Sequence, residues 1–289
     1  MADMNIQWYP GHMTKTRRMM DENIKLVDIV IELLDARIPY SSKNPEIDKL
    51  ARDKKRIVIL NKSDLADEKK TALWTEYFEA KGFKVIKVNS ITGSGIKDIS
   101  TAAAELMAEK LERLRKRGRI FTPTRAMIVG IPNVGKSTLI NKLVGRTMAK
   151  TGDRPGVTRS KQWVKIRKDF ELLDTPGILW PKFEDKAVGM KLAFTGAVND
   201  NIIDLEELSV NLIEYLDKLY PSAVSERYGI ETEGAENTFE LVKRIADARG
   251  FKAKGGEPDT KRAATILLDE FRAAKLGRIT LESPEDITE

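Results

Sequence analysis

The chain has 289 residues, which is comfortable for two domains. With 41% hydrophobic and 33% charged residues it reads as an ordinary soluble protein, and a net charge of +6 permits a nucleic-acid partner without requiring one. There is no cysteine, which excludes disulfides, thiol catalysis and zinc–thiolate centres. The most apolar run, residues 26–34, carries Asp28 and Glu32 and is too short to span a bilayer. The first residues lack the apolar core of a signal peptide, so a cytoplasmic protein without a membrane partner is expected.

Residues 1–20 read as a basic arm with Trp8, Tyr9 and the single histidine, His12, followed by Lys15, Arg17 and Arg18. Residues 13–25 can be helical. Residues 27–34 read as a strand, and residues 56–60 as a second one. The second runs directly into Asn61-Lys62-Ser63-Asp64, an N-K-x-D pattern. A carboxylate there can accept both the N1–H and the 2-amino hydrogens of guanine, a donor pair that adenine lacks. The Lys62 stem can lie along the base, and Asn61 can brace the loop. Parallel sheets bind ligands beyond the carboxyl ends of their strands, where this tetrapeptide falls.

Residues 69–81 outline an amphipathic helix whose Leu73, Trp74, Tyr77 and Phe78 are expected in the core. Residues 84–88 form a third strand, followed by Asn89 and Ser90 in a loop suited to support the guanine oxygen. Residues 96–117 read as a long helix with a basic end. That end is either a solvated surface or an RNA contact.

Residues 125–129 are a short buried strand, and Gly130-Ile131-Pro132-Asn133-Val134-Gly135-Lys136-Ser137 follows it at the head of a helix. This is the G-x-x-x-x-G-K-S phosphate-binding loop in its required strand–loop–helix setting. The backbone N–H groups around Asn133, Val134, Gly135, Lys136, Ser137 and Thr138 are expected to line the phosphates, aided by the helix terminus. Lys136 would reach the β- and γ-phosphates and Ser137 would ligate Mg²⁺. Residues 151–160 form a Gly- and Pro-punctuated loop in which Thr158 is the candidate to close over Mg²⁺ and the γ-phosphate. A hairpin about Lys168 and Asp169 leads to Asp174-Thr175-Pro176-Gly177, a D-x-x-G pattern. Asp174 would hold Mg²⁺ through water, and the Gly177 amide would bond the γ-phosphate.

From about residue 181 helical patterns dominate. Residues 199–240 carry 11 acidic and 2 basic residues, whereas residues 241–280 carry 10 basic and 5 acidic. Residues 259–276 read as a helix with Asp259 as N-cap and Gly277 as stop, flanked by Lys261, Arg262, Arg272, Lys275 and Arg278. These cations are either a solvated face or an RNA-binding one.

A Ras-like GTPase runs from its P-loop to the switch threonine, D-x-x-G and finally N-K-x-D. Here N-K-S-D comes first and D-T-P-G last. The expected fold is therefore α/β, a circularly permuted Ras-like P-loop GTPase domain over residues 21–180, followed by an all-α C-terminal domain over residues 181–289. The switch region then leads straight into the helices, which would carry nucleotide state as an orientation of that domain.

With Trp8-Tyr9-Pro10-Gly11-His12-Met13, Asp35-Ala36-Arg37-Ile38-Pro39 and Pro155-Gly156-Val157-Thr158 added to these motifs, nearly the whole chain resembles the YlqF/RbgA family of circularly permuted GTPases. The resemblance implies late maturation of the large ribosomal subunit, with contact to its rRNA through the helical tail. It also implies a catalytic role for His12, since Ile178 and Leu179 occupy the positions where many GTPases carry a water-orienting glutamine. In related potassium-stimulated enzymes an asparagine at the place of Asn133 helps hold K⁺. A monomer is expected. The competing readings are a signalling switch with protein partners only and a passive RNA-binding protein with a vestigial nucleotide site.

Overall fold

A computed structural model describes residues 13–118, 122–145, 162–175 and 185–287. Its centre is a six-stranded sheet in the order β3-β2-β1-β4-β6-β5. The strands are β1 (Ile29–Asp35), β2 (Lys55–Asn61), β3 (Lys84–Val88), β4 (Thr124–Gly130), β5 (Gln162–Arg167) and β6 (Phe170–Asp174). All neighbours are parallel except β5, which pairs antiparallel with β6 as the predicted hairpin about Lys168 and Asp169.

The parallel strands are covered on both faces, which is why they read as nearly continuous apolar runs rather than alternating ones. In β1 every residue is buried. Ile29, Ile31 and Leu33 join the large core with α4 (Ile96–Lys116) and α5 (Lys136–Val144). Val30 points to the opposite face, against Met20 and Ile24 of α1 (Met13–Ile24) and Ile47 of α2 (Pro45–Leu50). Leu34, Val58 and Leu60 pack against α3 (Glu68–Ala80) through Trp74 and Phe78, whose rings stack at 5.6 Å between centroids. Leu73, expected in that core, is 41% exposed. A helix buries only the stripe facing the sheet, and Leu73 lies one step off the stripe set by Trp74 and Phe78.

The parallel register has a functional consequence. Asp35 is paired with Asn61, Asn61 with Val88, and Leu33 with Gly130. The carboxyl ends of β1, β2, β3, β4 and β6 therefore lie along one edge of the sheet. Motifs far apart in sequence meet there, and their order along the chain is immaterial to the meeting.

Beyond residue 185 the chain forms α6 (Lys186–Phe194), α7 (Leu205–Leu219), α8 (Ala223–Tyr228), α9 (Thr238–Ala248) and α10 (Thr260–Arg272). Asp185, Asp204, Asn237 and Asp259 each cap a helix by accepting a backbone N–H, satisfying donors that would otherwise lack partners. Asp259 is the predicted N-cap of α10, but that helix stops at Arg272, short of the expected Leu276. Ala274 has a positive φ of 55° that breaks the helical ladder before Gly277. Residues 277–287 then return to the sheet, where Leu281 N donates to the Arg37 carbonyl at 2.8 Å and Trp74 Nε1 to the Glu282 carbonyl at 3.2 Å.

Candidate nucleotide-binding site

The loop after β4 turns into α5 at Gly135, where φ is 101°. A Cβ at Gly135 would stand 2.5 Å from Asn61 Nδ2, so the position excludes any side chain on both counts. The close approach lets the Asn61 side chain join three loops. Its Nδ2 donates to the Val134 carbonyl at 2.7 Å, and its Oδ1 accepts from Ser90 Oγ at 2.7 Å and Ser90 N at 3.2 Å. Asn61 is buried, so each bond replaces solvation lost on folding.

Lys62 follows with a positive φ of 59°, and Asn133 in the phosphate loop has one of 55°. Such conformations cost a non-glycine residue on the order of 1–3 kcal/mol and persist where surrounding contacts enforce them. Here Lys62 Nζ donates to the Asn133 carbonyl at 2.9 Å and pairs with Asp35 Oδ2 at 3.0 Å. Burial pushes the Lys62 ammonium below its ordinary pKa, opposed by Asp35. Burial alone would raise the Asp35 carboxyl, but Arg37 and Lys62 together hold it well below the usual carboxylate range. Asp64, at the tip of this loop, is exposed and has no hydrogen-bond partner among the described residues. Its carboxylate is free to receive a base. Asn89 braces its own loop, with Oδ1 accepting from Ile91 N at 2.9 Å and Thr92 N at 3.0 Å.

At the phosphate end, Lys136 is buried and donates to the Gly130 and Ile131 carbonyls at 3.1 and 3.3 Å. Burial pushes its pKa down to about 8, with Asp174 opposing. Burial pushes Asp174 up to about 6, with Lys136 opposing. Asp174 Oδ1 is buried without a hydrogen-bond partner. An orphaned, buried carboxylate oxygen fits the demand of a hard cation for oxygen ligands, and the half-buried Ser137 at the head of α5 offers a hydroxyl. The described residues contain no cluster of three or more acidic or imidazole ligands. Mg²⁺ takes one or two protein ligands together with phosphates and water. Thr175 Oγ1 donates to the Ile128 carbonyl at 2.6 Å and ties the D-x-x-G start to the P-loop strand. His12, Thr158 and Gly177, together with Ile178 and Leu179, lie outside the described residues.

The helices beyond residue 185 close one side of the site, a feature that sequence reasoning missed. Asn133 Nδ2 donates to the Gly196 carbonyl at 2.7 Å. Arg272 donates to the Ala193 and Phe194 carbonyls at the end of α6, each at 3.0 Å, and pairs with Asp200 at 2.7 and 2.8 Å. Arg37 Nη1 donates to the Arg272 carbonyl at 3.1 Å and its other nitrogens grip Asp35 at 2.9 and 2.8 Å. The ring closes through Lys62 and borders a cleft of about 720 Å³ between the loops and α10. Of the cations predicted to flank α10, Arg272 and Arg278 donate to carbonyls of their own chain, Arg278, itself exposed, to those of Ser63 and Ala66 at 3.0 and 2.8 Å. Lys261, Arg262 and Lys275 remain exposed. The one sequence signal for the ring was Asp35-Ala36-Arg37 at the end of a strand, beside the lysine of N-K-S-D.

Comparisons with known proteins agree with this geometry. A family model described as a 50S ribosome-binding GTPase matches residues 125–240. It begins at the P-loop strand, as expected when N-K-S-D has been moved ahead of the P-loop. A relative from Bacillus cereus named Ribosome biogenesis GTPase A is 49% identical over 286 residues, covering 99% of this chain and 96% of that protein. One of the same name from Thermotoga maritima is 33% identical over 284 residues, covering 98% and 96%. The crystal structure of GNP-bound YlqF from T. maritima matches with a TM-score of 0.66 at 31% identity, covering 94% of this chain and 100% of that one. With its GTPase motifs gathered on one sheet edge in permuted order, the chain belongs to the family of ribosome biogenesis GTPase A.

Proposed function

We propose that the protein hydrolyses GTP as an assembly factor for the large ribosomal subunit. The observation that carries this reading is the Asn61 side chain, which bonds the P-loop and the Ser90 loop at once. A nucleotide lying across these loops meets a base reader at one end and a phosphate cradle at the other. Asp64 accepts the guanine N1–H and 2-amino hydrogens, the Lys62 stem supports the base, and the loop at Asn89 and Ser90 supports its oxygen. The backbone from Asn133 to Thr138 holds the phosphates at the N-terminus of α5. Lys136 leaves the Gly130 and Ile131 carbonyls for the β- and γ-phosphates.

A bound Mg²⁺ would supply charge neutralisation during phosphoryl transfer. Ser137, Asp174 through water, and Thr158 are its proposed protein ligands. Thr158 and the Gly177 amide then read the γ-phosphate. Position 178 holds isoleucine, which cannot orient water, so His12 is the residue proposed to complete the site. Asn133 is the proposed K⁺ ligand. Its side-chain nitrogen donates to the Gly196 carbonyl.

Residues 1–20 act as a basic arm, residues 21–180 as the GTPase domain and residues 181–289 as the rRNA-facing helical domain. Exposed Lys261, Arg262 and Lys275 supply phosphate contacts there. The protein acts as a cytoplasmic monomer without a membrane partner. Among the described residues no helix is long and apolar enough to cross a membrane. The test is binding to purified large subunits across a salt series. Tighter binding with a non-hydrolysable GTP analogue than with GDP, falling steeply with salt, is expected. Equal, salt-insensitive binding in both nucleotide states contradicts the proposal.

A further inference from the structure

The guanine-reading loop is gripped from outside by the returning C-terminal strand of chain. Arg278 Nη2 donates to the Ser63 carbonyl at 3.0 Å, and its Nε to the Ala66 carbonyl at 2.8 Å. Ile279 N donates to the Leu65 carbonyl at 3.2 Å. Thr280 Oγ1 accepts from Asp67 N at 3.1 Å and donates to the Ala36 carbonyl at 3.3 Å. Tyr220 completes the grip, donating to Asp67 Oδ2 at 3.2 Å while accepting from Thr280 N at 3.2 Å. Thr280 and Ile279 are buried, so this is a packed seam rather than a surface touch. The exposed carboxylate of Asp64 takes no part in it.

We propose that residues 278–281 act as a strap that sets the guanine specificity of the site, with Arg278 as the positioning residue. The physical reason lies in the loop itself. Lys62 has a left-handed backbone, and the turn from Ser63 to Asp67 connects it to α3. Without outside partners the carbonyls of Ser63, Leu65 and Ala66 would face water, and the turn could sample other arrangements. A carboxylate must accept two hydrogens from one edge of a planar base, which demands a fixed orientation. Fixing it before the base arrives removes an ordering cost from guanine binding and none from phosphate binding. The helical part and the base reader are thereby one mechanical unit. The ion pair of Arg278 with Glu68, at 3.4 Å and largely exposed, contributes little.

This inference rests on Asp64 reading guanine, so the experiment separates the two claims. Dissociation constants for GDP and ADP are measured by competition against a fluorescent guanine nucleotide, with the full-length chain. Arg278→Ala is expected to weaken GDP about tenfold while leaving ADP and kcat at saturating GTP unchanged. Arg278→Lys, whose ammonium can satisfy one of the two carbonyls, is expected in between, and Glu68→Ala is expected to match the parent. Should Arg278→Ala fail to fold, Thr280→Val removes the Asp67 anchor and is read in the same way. GDP unchanged, or GDP and ADP weakened by one common factor, overturns the strap while Asp64→Ala still abolishes the preference for GDP. A parent protein with equal affinity for GDP and ADP overturns both claims.

Discussion

Asn133 donates its side-chain amide to the Gly196 carbonyl at 2.7 Å, joining the phosphate loop to the residues that end the first helix of the C-terminal part. A shift of the phosphate loop on nucleotide exchange would act on that helix through this bond. Arg272 stands at the other side of the same turn, with its guanidinium on the Ala193 and Phe194 carbonyls and on Asp200. Arg272→Ala is expected to leave GDP affinity within about twofold and to reduce stability by roughly 1–3 kcal/mol, from the unpaired carbonyls and Asp200. Its principal effect should be on hydrolysis stimulated by ribosomal subunits, which ought to fall toward the basal rate. Parallel assays of nucleotide affinity, thermal unfolding and stimulated turnover check the three parts separately.

Potassium dependence follows from the proposed role of Asn133. Hydrolysis should run faster in KCl than in NaCl at equal ionic strength. The Asn133→Ala variant should lose that difference. Equal rates in the two salts for the parent protein would remove K⁺ from the account and leave Asn133 as a link to Gly196.

Asn61→Ala should be costly for two reasons. It strands the buried Val134 carbonyl and the Ser90 hydroxyl, at about 1–3 kcal/mol of stability. It also frees the P-loop from the base-reading loop, so GDP affinity should drop further than the stability change alone accounts for. Chemical denaturation beside nucleotide titration separates the two effects.

Glu270 in α10 accepts from Arg227 at 2.9 and 2.6 Å and from Arg249 at 3.3 Å. The hydrogen bonds from Arg227, working against partial burial, lower its pKa from the ordinary 4.5 to about 2. A carboxyl lowered in the folded state adds stability above its unfolded pKa and loses it as pH falls through the folded one. Glu270→Gln should therefore unfold more easily than the parent at pH 7, and the gap should close progressively below about pH 4.5. A gap that stays constant down to pH 2 would contradict the assignment.

The sheet and the nucleotide loops were legible in the sequence because their signals are local. A parallel strand buried on both faces is an apolar run, and a P-loop must follow one and open a helix. The motif order revealed the permutation, since sheet pairing at one edge does not depend on where the chain begins. Side-chain traffic between distant segments was not legible. Arg272 and Arg278 read as a basic face in one dimension, yet both donate to carbonyls of their own chain, at the end of α6 and in the loop at Ser63. Nothing in a charge pattern distinguishes a cation without a protein partner from one that meets carbonyls 78 or 215 positions away. Leu73 misled for a related reason, since an apolar residue at the margin of a helical stripe has no sequence mark of which side it falls on.

The trigger proposed for this GTPase is the large ribosomal subunit. Steady-state GTP hydrolysis in K⁺ buffer, with and without purified large subunits, tests it most directly. Slow turnover alone, strong stimulation by the subunits, and loss of that stimulation in His12→Ala with nucleotide affinity retained are expected. Intact GTP binding with no stimulation by either mature or immature large subunits would contradict that trigger.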